Sequence, residues 1–486
     1  MKRTYKTIIT FVFRYIPVAG LLLITAAGCK DFVQVDPPIS GINKDNAYDN
    51  DKSALSVMTG IYGRLVTPNF GITYGSAGIG YLMGLYADEL KNWSPNSTTR
   101  QQFYVNNLQA TNTVSPLWNP VYTEIYACNA AIEGFTTSAA LSAAVKKQGE
   151  GEAKFLRAFL YFYAVNLFGD VPLAITTDYR ANTAMARTPQ ATVYTQIIAD
   201  LKDAQALLGD AYLNGNGTAA QDRGRPNKQV ATALLAKVYL YMKDWTNAEA
   251  QASAVIADSR YALETDPANV FLAASKESIW GLVPSVSSNY VVEDVNLYTF
   301  TPGIGPDNSK TVSLTSFLVN AFEANDKRFA AWVGRTDVPA NGVSPAGTYY
   351  FSNKYHSKTP DTESYLVLRL AEMFLLRAEA RAQQGNVSGA ITDLDAIRTR
   401  AGLPGATATT KETLLSAVLQ ERRVELFVEM GNRWFDLKRT GVLDNVMDAV
   451  TPQKGGTWSA DWQLLPIPQS ELLLNTNLTQ NQGYPR

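Results

Sequence analysis

The densest run of acid and base side chains is Glu421 to Arg439, ERRVELFVEMGNRWFDLKR. Glu421 stands four residues before Glu425, and Arg422, Arg423 and Arg433 are interleaved with the acids. Carboxylates and guanidiniums in this pattern serve either proton transfer or ion pairing. Val424, Phe427 and Val428 fall at helical spacing, so one face of the run is apolar. Charges this close to aromatic residues must be paired across to other elements when the helix docks. The run is therefore read as a structural clasp, because buried acid–base clusters are often architectural. Gly431 is expected to stop its helix, since a residue with positive φ just past the last turn is cheapest as glycine.

Other chemistry is scarce. The one histidine, His356, rules out a two-histidine metal site. Of the two cysteines, Cys29 lies in an N-terminal targeting segment and Cys128 is left unpaired, so neither a disulfide framework nor a multi-thiolate zinc site is available. A Cys128–His356 thiol–imidazole pair has no local signature. Cys128 sits in an apolar helical run with Ile125, Ala127, Ala131 and Ile132 and is read as a small buried hydrophobe. No P-loop and no G-x-S-x-G occurs. Gly78, Gly80 and Gly84 lack the strand–turn–helix context of a dinucleotide fingerprint. A glycosidase needs only two carboxylates, and the 44 acids leave that arithmetic open.

The net charge of -1 over 486 residues gives no basic excess for a nucleic-acid partner. At 46% hydrophobic, the chain has ample material for a core. Lys2, Arg3, Lys6 and Arg14 precede an apolar run from Ile16 to Ala27 that is too short to span a bilayer. It ends in Ala26-Ala27-Gly28-Cys29, which resembles a bacterial lipobox with Ala26 where Leu is more usual. Residues 1–28 are thus expected to be a lipoprotein signal peptide and Cys29 the acylated first residue of the mature chain. Lys30-Asp31 resembles the export signal of Bacteroidetes surface lipoproteins, and Asp36-Pro37-Pro38 reads as an extended tether.

Helical periodicity is expected over 48–66, Leu117 to Phe135 and Glu150 to Phe168, the last with an aromatic stripe of Phe155, Phe159, Phe162 and Tyr163. Thr188 is the expected cap of the next helix. Two later segments, from Leu234 and from Phe374, share a helix–turn–helix layout in which Ala236 and Ala248 correspond to Ala378 and Ala390. They resemble tetratricopeptide units. Residues 67–115 are rich in Gly, Asn, Ser, Thr and aromatics and are read as irregular. Residues 261–360 are read as a mixed region with β-like runs at Tyr290-Val291-Val292 and at Thr348 to Phe351.

The lipobox, EAKFLRAFLYFYAVNLFGDVPL, the R-x-P of Arg187 to Pro189, YLVLRLAEMFLLRAEA from Tyr365, the clasp, and the LPIP and NQGY endings occur in order. Together they resemble the SusD/RagB family of Bacteroidetes surface lipoproteins. The resemblance implies one domain over 29–486. Its fold is mostly α, a tetratricopeptide-like scaffold (about 48–260 and 361–445) carrying loop-rich, partly β inserts (about 67–115 and 261–360) that form the ligand face. It implies a glycan-binding, non-enzymatic protein without cofactor, anchored in the outer membrane and partnered with a SusC-type TonB-dependent transporter. The alternative is a tetratricopeptide protein that binds peptides or protein segments. A sugar offers flat C–H faces and hydroxyls, so it calls for exposed aromatics beside amides or charges. The candidates are Trp93 with Asn92 and Asn96, Tyr74, and in the central region Tyr290, Tyr298 and Trp332. Trp93 is either a stacking platform or an anchor for its loop, and Asn92 and Asn96 either bind hydroxyls or shape turns. Lys91 and Arg100 are read as solvated rather than as partners of an acidic sugar.

Overall fold

A computed structural model describes residues 46–485 apart from 68–69, 71, 74, 110–113, 285–288, 290 and 341–343. Cys29 with the signal segment, Tyr74 and Tyr290 lie outside the described residues. From Tyr48 onward the chain forms one compact unit. Its N-terminal helices are α1 (Asp51–Leu65), α2 (Ile79–Tyr86), α3 (Thr98–Tyr104), α4 (Ser115–Thr137), α5 (Ala143–Phe168) and α6 (Gln190–Leu207). Then come α7 (Lys228–Tyr241), α8 (Trp245–Ile256), α9 (Glu293–Tyr298) and α10 (Lys327–Trp332). The C-terminal set is α11 (Leu370–Gln383), α12 (Val387–Arg400), α13 (Lys411–Glu425), α14 (Asn432–Thr440), α15 (Leu443–Val450) and α16 (Gln469–Leu474).

The middle of the scaffold is α5. Every residue from Phe155 to Phe168 is buried, and a helix apolar all round must be covered on every side. α1, α4 and α6 pack on it, and Phe155 and Phe159 each set an edge against Trp280 at 5.0 Å. The helix begins at Ala143, earlier than its apolar period predicts, because Ser142 caps it by accepting from the Val145 N–H and its first turns are polar. Gly169, at φ +74°, turns the chain at its end. That turn makes Asp170, rather than the expected Thr188, the cap of α6: its carboxylate accepts from the Gln190 N–H at 2.8 Å, while Thr188 is spent on backbone pairing with Val171. Arg187 donates to the carbonyls of Phe168 (2.9 Å), Asp170 (2.6 Å) and Thr479 (3.0 Å), and so ties the C-terminal tail to the end of α5.

The two tetratricopeptide-like units are the hairpins α7–α8 and α11–α12. Asn227, Asp244 and Asn386 cap α7, α8 and α12 with their side chains. Ala236, Ala248, Ala378 and Ala390 are fully buried, which lets the helices cross closely. α6 leads into α7, α8 packs against α11, and α13 closes on α11 and α12, giving a continuous stack.

Both inserts contain more regular structure than their composition predicts. The glycine-rich stretch forms α2, because glycine there permits close approach rather than a turn. A Cβ on Gly80 would lie 2.7 Å from the Val428 carbonyl oxygen. The strands β1 (Leu90–Asn92), β2 (Ser278–Leu282), β3 (Val312–Leu314), β4 (Val333–Val338), β5 (Gly347–Ser352) and β6 (Tyr365–Arg369) form three antiparallel pairs, β1–β3, β2–β6 and β4–β5. The β1–β3 pair sets Leu90 opposite Leu314 and Asn92 opposite Val312, stitching one insert to the other. Thr348 to Phe351 is strand, as expected. Val292 instead caps α9, so the β-like reading of 290–292 does not hold for its described residues.

The clasp helix α13 ends at Glu425, before Gly431. Val428 (φ +57°), Met430 (φ +47°) and Gly431 (φ +67°) are left-handed, and Gly431 stands at the N-cap of α14. Buried ion pairs hold this turn. Glu425 receives Arg369 at 2.5 Å and Arg328 at 2.8 Å, and pairs also with Arg400. Arg369 further meets Glu277 (2.8 Å) and Glu429 (2.7 Å). The Lys354 ammonium donates to the carbonyls of Glu425 and Phe427, both at 2.9 Å, and so satisfies the open end of α13. Truncating one member of such a cluster leaves uncompensated buried charge. Glu425→Ala is expected to lower unfolding stability by about 3–5 kcal/mol, read as a drop in denaturant midpoint; an unchanged midpoint would refute the architectural role.

Candidate functional site: a groove beside Trp93

Trp93 leaves the end of β1 and is half-buried. Its backbone N–H donates to the Thr311 carbonyl at 2.8 Å, extending the β1–β3 ladder. Its indole N–H donates to the Ser313 hydroxyl at 2.8 Å. The ring meets Tyr349 of β5 edge to face, centroids 5.2 Å apart. Lys91, two residues back and therefore on the same side of β1, holds its ammonium 3.9 Å from the Trp93 ring centroid.

These residues open onto a groove of about 550 Å³. Trp93, Tyr104, Thr348 and Tyr350 line it, with Lys91, Asn320 and Gln453. Lys91, Asn320, Thr348 and Gln453 are exposed, while Tyr104 and Tyr350 are half-buried. The lining thus joins aromatic surface to exposed hydroxyl, amide and ammonium groups, of which the Thr348 hydroxyl already donates to Asp337 at 2.6 Å and the Gln453 amide to the Ala449 carbonyl at 2.9 Å. Four segments distant in sequence build it: α3 with β1, the stretch around β3, the β4–β5 hairpin, and Gln453-Lys454 beyond α15. At its inner end the Lys454 ammonium donates to the carbonyls of Leu85 (2.8 Å) and Ala87 (2.9 Å) and to Asn106 Oδ1 (3.0 Å). It thereby caps the end of α2, and burial pushes its pKa down to about 7.

Of the residues singled out from sequence, Trp93 lines the groove, and its indole N–H anchors it to Ser313. Asn92 is buried: its amide donates to Gln101 Oε1 at 2.9 Å and accepts from the Ser94 N–H at 3.1 Å, which makes it a shaper of the loop rather than a ligand contact. Asn96 is exposed in the following turn. Tyr298 (2% exposed) and Trp332 (1%) are core residues. The Trp332 indole donates to the Pro267 carbonyl at 2.8 Å, and its ring packs edge-on against Phe271. Tyr349 and Tyr350 are missed by sequence reasoning, whose only signal for them is an aromatic pair inside a predicted strand. Cys128 is buried on α4, and burial raises its thiol well above the ordinary range, in keeping with a small hydrophobe. Among the described residues no cluster of His, Cys, Asp and Glu is arranged to hold a metal ion.

Residues 340–484 match the family described as the SusD family, and residues 82–240 match the family described as starch-binding associating with outer membrane. The chain is 26% identical to SusD-like protein P2 of Formosa agariphila, over 96% of this chain and 98% of that protein. It is 34% identical to the starch-binding protein SusD of Bacteroides thetaiotaomicron over a shorter stretch, 26% of this chain and 23% of that one. A SusD-like protein from Bacteroides fragilis shares the fold with a TM-score of 0.76 and 21% identity, covering 92% of this chain and all (100%) of that chain. A laminarin-binding SusD-like protein does so with a TM-score of 0.75 and 24% identity, covering 90% of this chain and 100% of that one.

Beneath the groove, Asp88 accepts two hydrogen bonds from Arg433, at 2.8 and 2.9 Å, and one from Arg423 at 2.7 Å. Neighbouring Glu89 is fully buried and accepts the Val428 N–H at 3.2 Å. Burial, with the Asp88 carboxylate beside it, raises Glu89 from 4.5 to about 8. A carboxyl raised on folding stabilises the fold at low pH, and that contribution is lost as pH climbs from 4.5 to about 8. Glu89→Gln keeps an acceptor for Val428 and has no charge to bury. It is expected to match the wild type at the acid end of that window and to be the more stable protein at the alkaline end. Denaturant midpoints across the window test this, and parallel curves for the two proteins would show Glu89 to be ionised in the fold.

Proposed function

The chain belongs to the SusD/RagB family, and on that premise we propose that it is a cell-surface lipoprotein that captures glycan and delivers it to a SusC-type TonB-dependent transporter of the outer membrane. In this reading residues 1–28 are cleaved, Cys29 carries the lipid, and 29–486 form one SusD-like domain. An acyl anchor fits a chain in which, among the described residues, no helix is long and apolar enough to cross a membrane.

The observation that carries glycan binding is the groove: Trp93 and the adjoining tyrosines set beside exposed Thr348, Asn320 and Gln453. Sugar rings stack on the former, and their hydroxyls meet the latter. The groove is lined mostly by the inserts, and among the described residues none of the helix hairpins lines it, where a tetratricopeptide-type peptide site would be expected. The mechanism is capture without bond cleavage: the ligand is desolvated against the aromatic surface and released as an intact chain to the transporter. Relatives are described as starch-binding and laminarin-binding, which supports a polysaccharide ligand class.

Native gels cast with plant, host and microbial polysaccharides test the proposal. Mobility of the mature chain is expected to fall with at least one polymer, with no new reducing ends in the same mixture. Trp93→Ala should weaken that interaction by about tenfold or more, equivalent to about 1.4 kcal/mol. Equal retardation of Trp93→Ala and wild type would remove the groove from the proposal, and release of reducing ends would overturn the non-enzymatic role.

A further inference from the structure

The groove is unbalanced in charge. Among the described residues no Asp or Glu lines it, whereas the Lys91 ammonium lies at its mouth and Lys454 at its inner end. Asp337, which accepts from the groove's Thr348 hydroxyl at 2.6 Å, is also engaged by Arg335 at 2.9 Å. In the layer below, one carboxylate, Asp88, faces two guanidiniums, Arg423 and Arg433. Arg423 also donates to the carbonyl of Phe317, a groove residue, at 2.9 Å, and its buried Nε has no hydrogen-bond partner. Lys454 is buried and spent on backbone carbonyls, so among the described lining residues Lys91 is the one exposed charge.

Lys91 is the exposed member of this set. Among the described residues it has no carboxylate partner, and its ammonium rests on the Trp93 ring. A cation on an exposed aromatic face is held weakly, so a ligand that offers the ammonium an anion displaces it readily. A sugar ring that takes over the Trp93 face brings its substituents to within reach of the same side chain. A neutral sugar would offer the ammonium only hydroxyl oxygens, which are weaker acceptors than an anion. A uronate carboxylate or a sulfate ester would give it a charge-assisted hydrogen bond while the ring stacks on the indole.

We propose that this groove is selective for anionic polysaccharide, with Trp93 against a sugar face and Lys91 as the residue that pairs with the acid group. The inference rests on the glycan-binding reading above and deepens it.

The test compares the mature chain with Lys91→Gln, Lys91→Arg and Trp93→Ala in affinity gels containing polygalacturonate, a sulfated galactan, its desulfated form, laminarin or amylose, at several salt concentrations. Wild type is expected to bind a charged polymer, more weakly as salt rises. Lys91→Gln should lose about tenfold in affinity and much of the salt dependence, Lys91→Arg should retain both, and Trp93→Ala should lose binding. Retention by polygalacturonate identifies a carboxylate as the charge, and retention by the sulfated but not the desulfated galactan identifies a sulfate. Binding of laminarin or amylose with equal strength by wild type and Lys91→Gln, without preference for the charged polymers, would overturn selectivity and leave the glycan-binding reading standing. No binding to any polymer would overturn both. Charged-polymer binding indifferent to Lys91 and Trp93 alike would place it outside the groove and overturn the proposal.

Discussion

Glu425 is fully buried at the end of α13 and faces guanidiniums from three parts of the chain: Arg328 on α10, Arg369 at the end of β6 and Arg400 at the end of α12. Burial alone would raise this carboxyl, yet Arg400, Arg369 and Arg328 hold it well below the ordinary range. Glu277, just before β2, shares Arg369 and Arg400 with it, but burial prevails there and its pKa is raised. Ion pairs in such a place return little net stability, because removing each ion from water costs several kcal/mol. What they impose is correspondence. A guanidinium left unmatched in this interior is far more costly than a misplaced leucine, so the central insert, β6 and the last helices of the stack have one arrangement that satisfies all of them.

The consequences run outward to the groove. With Glu425 and Glu429 held by Arg369, and the carbonyls of 425 and 427 held by Lys354, the chain between α13 and α14 is forced into left-handed conformations at Val428 and Met430. A β-branched residue accepts such a φ only under constraint. The reward is a backbone that meets α2 at Gly80 and offers the Val428 N–H to Glu89. Asp88 beside it is gripped by Arg423 of α13 and Arg433 of α14. β1 begins one residue after Glu89, and its pairing with β3 carries Trp93 to the groove. The groove is thus held by a rigid, ion-paired interior.

This division explains what the sequence discloses. The helix hairpins are legible because small and apolar residues repeat at helical period, and the clasp because acids and arginines crowd beside aromatics. The site is only half legible. Trp93 is found because polar residues and proline surround it. Tyr298 and Trp332 have the same residue types nearby and are core, since what covers them, Phe271 and Tyr81 among others, arrives from far along the chain. Asn92 fails as a ligand group for a local reason: an amide at the end of a short strand is used first by the turn that follows it. The glycine-rich stretch misleads because glycine serves close packing as well as turns, and only the position of Val428 decides which. Gly431 is correctly read as left-handed and wrongly placed, since the chain needs several left-handed residues to pass from α13 to α14.

The same division bears on what similarity to relatives conveys. Residues that fix the interior are constrained by many partners at once. Replacing Arg369 would unsettle three carboxylates, and replacing Arg187 would free both the end of α5 and the C-terminal tail. Groove residues carry almost no such obligation: Lys91, Thr348, Asn320 and Gln453 are exposed, and a change at any of them costs the fold little. Ligand chemistry is therefore free to change while the scaffold stays recognisable. For that reason the proposed selectivity rests on the charge of this groove and not on the ligand of any relative.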